Sequence, residues 1–224
     1  MAASLRPLAI LLLAGTAACQ ASPEPTPPAT MTLTVQIPVA DKAVISAAEA
    51  VFAKRLTTLG MTGITSTVGD TMTFSGVVPD SFDLEAANAV LRNAGVFAFV
   101  PWPADQPTPE PGDPVPATLT PLFDAANEIT AAELTTDTAG QRAIDITLGA
   151  AGSEAFATYT TQHVGSFLPF VMDGRVLAAP SIQSPITGGE ILISIPDPDP
   201  LPLAAIAAMM ASGPLPAAWS GGHP

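Results

Sequence analysis

The residues able to do chemistry are few. Two histidines, one cysteine and one tyrosine are the whole supply of ionisable side chains other than carboxylates, lysine and arginine in 224 positions. A nucleophile needs a base within hydrogen-bond reach, and a metal site usually needs three or four ligands. His163 stands one helical turn from Tyr159 and reads as a hydrogen-bonded or surface histidine; His223 belongs to a terminal tail. Asp124 and Glu128 are spaced i, i+4 and could pair as acid and base on a helix, but the same spacing describes a solvated face. Asp197 and Asp199 alternate with prolines, which keeps their carboxylates apart, and the spacing of a dedicated calcium loop is missing. Gly188-Gly189 precedes a strand pattern instead of opening a helix, so it does not form a phosphate cradle. These residues predict a protein that is not an enzyme and uses no cofactor and no metal.

The cysteine has a different use. Residues 1–19 read MAASLRPLAILLLAGTAAC: one Arg6, an apolar run of 11 residues, then small residues ending at Cys19. This is the pattern of a signal peptide. Its last positions, Ala17, Ala18 and Cys19, resemble the lipobox of bacterial lipoproteins, in which the cysteine is acylated and becomes the first residue; Thr16 stands where that pattern usually has leucine. The alternative is an ordinary signal peptide cut near Ala21, with Cys19 discarded. After a leader over residues 1–18, residues 19–30 are Pro-rich and hold no large apolar group, which predicts a tether. Eleven such residues in polyproline form reach about 34 Å at roughly 3.1 Å each. The expected location is the cell envelope, extracytoplasmic and lipid-anchored to a bacterial membrane.

Composition narrows the partners. Charged residues make up 12%, about half of the roughly 25% usual in soluble domains. With 48% apolar residues and a mean hydropathy of +0.41 a membrane-spanning chain must be considered, but no uninterrupted apolar run exceeds 11 residues. A spanning helix needs roughly 18–20. Seven basic against 20 acidic residues give −13, with no basic stretch beyond Lys54-Arg55, which argues against nucleic acid.

The elements follow from periodicity. Residues 31–39 alternate apolar and polar as a half-buried strand, and Pro38 marks an edge or an early end. Asp41 caps a helix carrying Val44, Ala48, Val51, Phe52, Leu56 and Leu59 on one stripe, stopped by Gly60. A hairpin turns at Gly69-Asp70, and Asp80 or Ser81 opens a second helix that Gly95 closes before a strand at 96–100. The order βαββαβ predicts an α+β class with a ferredoxin-like subdomain over residues 31–100. Eight prolines in residues 101–121 then predict a linker or extended surface segment, with Trp102 packed on a neighbouring surface. A second α+β subdomain over residues 122–219 has hairpins at Ala139-Gly140 and Asp173-Gly174, a helix from Gly152, a strand at 191–195 and a helix over 201–212 whose Met209 and Met210 belong to its core face. Residues 124–133 read as either a short helix or irregular chain. Residues 220–224 form a tail.

Several ordered motifs in the second half match a known family. The helix with Phe156 and Thr160, the stretch FVMDGRVLAAPSIQSPITGGEILIS over residues 170–194, and MASGPLPAAW over residues 210–219 resemble the first periplasmic domain of SecD and SecDF, membrane proteins that assist protein export. Lys54-Arg55-Leu56, the Gly69-Asp70 turn and Val77-Val78-Pro79 resemble its base part, so the second subdomain corresponds to the SecD head. The resemblance implies a binding module for unfolded exported polypeptide or for an envelope or translocon protein. Its contact surface is expected around Asp173, Gly174, Arg175, Pro180, Ile186, Gly188 and Gly189. SecD-type proteins carry transmembrane helices after this domain, and no such segment is written in these 224 residues, so the energy-transducing role is not expected to carry over. A structural or assembly lipoprotein of the envelope, reusing the fold without an export role, is the alternative.

Overall fold

The computed structural model describes residues 29–195 and 201–219. The leader, most of the tether, the tail, and with them Cys19, Asp197, Asp199 and His223, lie outside the described residues. The first sheet contains β1 (Ala29–Gln36), β2 (Thr62–Val68) and β3 (Thr71–Val78), in the order β1-β3-β2 and antiparallel throughout. Leu33, Met72, Phe74 and Val78 turn inward beneath helices α1 (Lys42–Thr58) and α2 (Leu84–Arg92), while Thr30, Thr32 and Thr34 face out. Asp41 caps α1 as expected, its carboxylate accepting from the Ala43 and Val44 amides. The cap of α2 is Asp83, not Ser81 or Asp80. Residues 79–82 are spent in a turn closed by the Phe82 amide on the Pro79 carbonyl, so the first residue free to cap is three positions later.

The largest departure is β4 (Phe97–Phe99). It forms where the sequence predicts a strand, but it does not complete a four-stranded ferredoxin-like sheet. It pairs antiparallel with β7 (Phe170–Met172), which continues into β8 (Arg175–Ala178). The reason lies in Phe97, Ala98 and Phe99, all buried. A strand that must be covered on both faces is poorly served by a sheet whose outer face is hydroxylated and wet. The Phe97 ring stacks on Phe170 at 5.5 Å instead, and Phe99 meets Phe156, Phe170 and Phe123.

The proline-rich segment runs along this second sheet. The Gly112 amide donates to the Val176 carbonyl, Val176 returns a bond to Asp113, and the Val115 amide donates to Gly174. The segment thus pairs with and covers the outer edge of β8, one of the ways an edge is protected. Residues 124–133 resolve into one helical turn, α3 (Ala125–Glu128), and the start of β5 (Ile129–Thr136). The third sheet has the order β5-β6-β9, with β6 (Arg142–Leu148) central and β9 (Glu190–Ser194) at one side. Helix α4 (Ala150–Gln162) packs beneath it. Helix α5 (Leu203–Ser212) returns to pack on α1 and α2 as well as β5. Both halves therefore share one continuous apolar core running from Leu33 to Trp219, whose ring meets Phe52 edge-on at 5.6 Å. No helix among the described residues is long and apolar enough to cross a membrane.

Candidate functional site

The seven residues expected to form a contact surface are sorted by the fold into different roles. Asp173 and Gly174 make the β7–β8 turn with φ of +48° and +78°. The Asp173 carboxylate is occupied internally: it accepts from the Val96 amide at 2.8 Å and the Gly95 amide at 3.2 Å, and its own amide donates to the Val96 carbonyl. It ties the hairpin to the entrance of β4. Arg175 is exposed and donates to the Gly112 carbonyl at 3.1 Å, holding the proline-rich strap in place. Gly188 is exposed with open space where a side chain would go, whereas Gly189 is buried at φ +72° and a Cβ there would overlap the Ser153 hydroxyl. Only the second glycine of the pair is demanded by the backbone.

Pro180 and Ile186 are the two that meet at a cleft. Its floor is made by Phe99, Phe156, Leu168, Ile191 and Ile193, its rim by the loop over residues 180–186 and by Leu192, and its volume is about 220 Å3. No charged side chain lines it. The loop is pinned at both ends. Ile182 exchanges backbone bonds with Gly165 and Ser166, and the Leu168 amide donates to the Pro180 carbonyl. At the other end the buried Thr160 hydroxyl on α4 accepts from the Ile186 amide at 3.0 Å, and the Leu148 amide donates to the Gly189 carbonyl. Between these anchors Gln183, Ser184 and Pro185 are exposed. Strand β9 flanks the cleft as the outer strand of its sheet, and Leu192 on it is half exposed.

Strand β9 is itself held by Asp137. One carboxylate oxygen accepts from the Ser194 hydroxyl at 2.8 Å, the other from the Ala139 and Gln141 amides, and together these bonds, that of Ser194 foremost, hold the carboxyl below its ordinary value. Asp124 and Glu128, the two carboxylates weighed above as an acid and base pair, also make structural bonds. Asp124 caps α3, and Glu128 accepts from the Gly152 amide at 2.8 Å. Glu128 thereby caps α4, whose own N-cap residue Gly149 has no side chain to do so. That remote cap explains why α4 begins at Ala150, two residues before Gly152. His163 ends α4, its Nδ1 within 2.9 Å of the Tyr159 carbonyl and its ring stacked on Tyr159 at 4.0 Å. Partial burial pushes the Tyr159 phenol up. Among the described residues no group of three or more His, Cys, Asp or Glu side chains is placed to hold a metal.

With this geometry in hand, the comparisons with known proteins are specific. A family model described as SecDF, P1 head subdomain, matches residues 109–217. The second half of the chain is thus similar to the SecDF P1 head subdomain over 109 residues, just under half of the 224. The protein translocase subunit SecD of Rhodobacter capsulatus is 38% identical over 68 residues, which are 30% of this chain and 12% of that protein. The SecDF of Thermus thermophilus is 33% identical over 78 residues, 35% of this chain and 11% of its own length. The matched stretch is thus about an eighth of these curated relatives. Two solved structures share the fold at 21% identity: SecDF described as a membrane component that enhances protein export (TM-score 0.62, 83% of this chain and 95% of that one), and SecDF in a super-membrane-facing form (TM-score 0.64, 84% and 28%). Their coverage extends beyond the head to the first sheet and its helices. The region similar to the SecDF head thus shares one apolar core with the first half of the chain.

The sequence pointed to the loop between Pro180 and Ile186 and, through the motifs quoted above, to Phe156, Ile191 and Ile193. Phe99 and Leu168 lie in segments whose apolar residues look like any core and carried no such motif.

Proposed function

We propose that the protein is a non-enzymatic, extracytoplasmic module that holds unfolded exported polypeptide, alone or with a translocon partner, in the cleft beside β9. The observation that carries this reading is the uncharged cleft along an outer strand. An extended chain laid beside β9 gains main-chain hydrogen bonds while alternate side chains enter the apolar floor, a mode with low sequence demand. Relatives named as translocase subunits, and a related structure described as enhancing export, support the choice of ligand.

The test is suppression of aggregation of a reduced model polypeptide by the purified protein. Leu192→Asp is expected to weaken it about tenfold, the cost of placing one charge at an apolar rim. Leu134→Asp is the matched control: Leu134 is 51% exposed against 50% for Leu192, but lies on β5 at the far side of the same sheet. No suppression by the unmodified protein, or equal loss in both variants, would sink the reading.

Attachment through an acylated Cys19 belongs to the same proposal. A protein so anchored shows an acyl-modified N-terminal cysteine by mass spectrometry and leaves the membrane fraction on Cys19→Ala. An unmodified chain beginning after Ala21 would refute the anchor without touching the cleft.

A further inference from the structure

The first sheet carries no charged residue in any of its three strands, in a chain whose net charge is −13. Its two outer strands differ. Strand β2 is broken by a register shift between Thr62 and Thr65, with Gly63 at φ +59°, and such an irregularity twists an edge away from new partners. Strand β1 pairs with β3 over eight consecutive positions without a shift, and holds no proline or charge. In a βαββαβ sandwich the fourth strand lies beside the first. Here β4 has gone to the second sheet, so the outer side of β1 has no strand against it among the described residues.

We propose that this side of β1 pairs with β1 of a second copy of the chain. The argument is the strand's own pattern. The sequence from Thr30 to Gln36 is TMTLTVQ, close to symmetric about Leu33. An antiparallel two-fold pairing centred there sets Thr32 opposite Thr34, Met31 opposite Val35 and Thr30 opposite Gln36. Every apolar residue then meets an apolar one on the helix side, where Leu33 is buried and Met31 and Val35 half-buried. Every hydroxyl meets a polar group on the outer face, extending the row in which Thr32 bonds Ser75 and Thr34 faces Thr73. The contact is isologous, so it closes as a dimer and does not propagate. Two acidic molecules repel over most of their surfaces, and this neutral edge is where they approach most cheaply. The result is a six-stranded sheet with the two head clefts free, so the inference is independent of what those clefts bind.

Sedimentation of the purified protein, with Cys19→Ser in every sample to exclude acyl-driven association, reads the outcome. A monomer–dimer transition is expected between about 10 μM and 1 mM, the weak range suited to a contact of one strand edge. Thr32→Glu with Thr34→Glu places like charges opposite each other and weakens the dimer at least tenfold. Thr32→Lys with Thr34→Glu places opposite charges across the same pairs and restores it. Amide exchange checks the wild type directly: residues 29–36 exchange more slowly as concentration rises, and residues 62–68 do not change. A monomer over the whole range, a dimer indifferent to the paired glutamates, or loss in both variants with an unchanged melting temperature overturns the proposal.

Discussion

Replacing Arg55 by methionine is expected to destabilise the protein by about 3–5 kcal/mol, the largest loss from any single charged residue. In a domain of this size that lowers the melting temperature by roughly 10 °C or more. Arg55 is fully buried, and each of its five N–H groups has a partner. Nη1 donates to the Val90 and Asn93 carbonyls, both at 2.8 Å; Nη2 donates to Ala94 at 2.7 Å and Gly213 at 3.1 Å; Nε reaches the Ser212 hydroxyl at 3.3 Å. These acceptors cluster at the C-terminal ends of α2 and α5, where unpaired carbonyls concentrate partial negative charge. Methionine would fill the space and strip these carbonyls of their guanidinium donor, although Ala94 would keep the Leu215 amide at 2.9 Å and Gly213 the Ser212 hydroxyl at 3.4 Å. Lysine keeps the charge but cannot fork toward two helix ends, so Arg55→Lys should recover only part of the loss. A melting temperature within about 3 °C of wild type in Arg55→Met would refute this account.

A buried charge needs a reason to stay charged. Burial pulls the guanidinium down to about 10, and the Asp173 carboxylate acts the other way. At neutral pH the group is still ionised, held by two helix ends and one carboxylate that is not in contact with it. Gly95 completes the arrangement. It sits at φ +75°, and a Cβ there would stand 2.6 Å from Nη2. Gly95→Ala thus attacks the same hub from its other side. Because α1 belongs to the first half of the chain and α5 to the last, the hub fixes how the base and the end of the head lie together.

Much of this architecture was legible locally and its long-range part was not. The stripe from Val44 to Leu59, the Asp41 cap and the Gly213-Pro214 stop marked α1 and α5 because each signal acts within one or two turns. The Asp173-Gly174 turn was equally plain. Arg55 was visible as half of a basic pair and within the Lys54-Arg55-Leu56 motif, but not as a buried group, although its spacing from Ala48 and Phe52 puts it on the buried stripe of α1. That misplaced charge was the available signal for the hub. Gly188 and Gly189 could not be told apart, since the Ser153 hydroxyl that crowds one of them arrives from 36 positions away. The helix start at Ala150 was hidden for the same reason: its cap, Glu128, belongs to another element.

The fate of β4 leads to the second large effect. Three residues have too little length to show a period, so Phe97-Ala98-Phe99 announced a buried strand without naming its partner. The partner is set by rings. Phe99 lies 5.1 Å from Phe156, 5.2 Å from Phe170 and 5.8 Å from Phe123, at the meeting point of the second sheet, α4 and the cleft floor. Phe99→Ala removes the centre of that cluster and is expected to cost about 3–5 kcal/mol, while Phe99→Leu, which keeps most of the volume, should cost about 1–1.5 kcal/mol. Denaturant unfolding of the two variants measures the difference. Near-equal losses would mean that the site collapses around alanine, and that packing at Phe99 does not hold β4 in the second sheet. If the gap is found, the floor on which an extended chain is proposed to rest is also the reason that the fourth strand abandons the first sheet. The open edge of β1 and the apolar cleft beside β9 are then two results of one preference: Phe99 is worth more buried among rings than spread along a hydroxylated sheet.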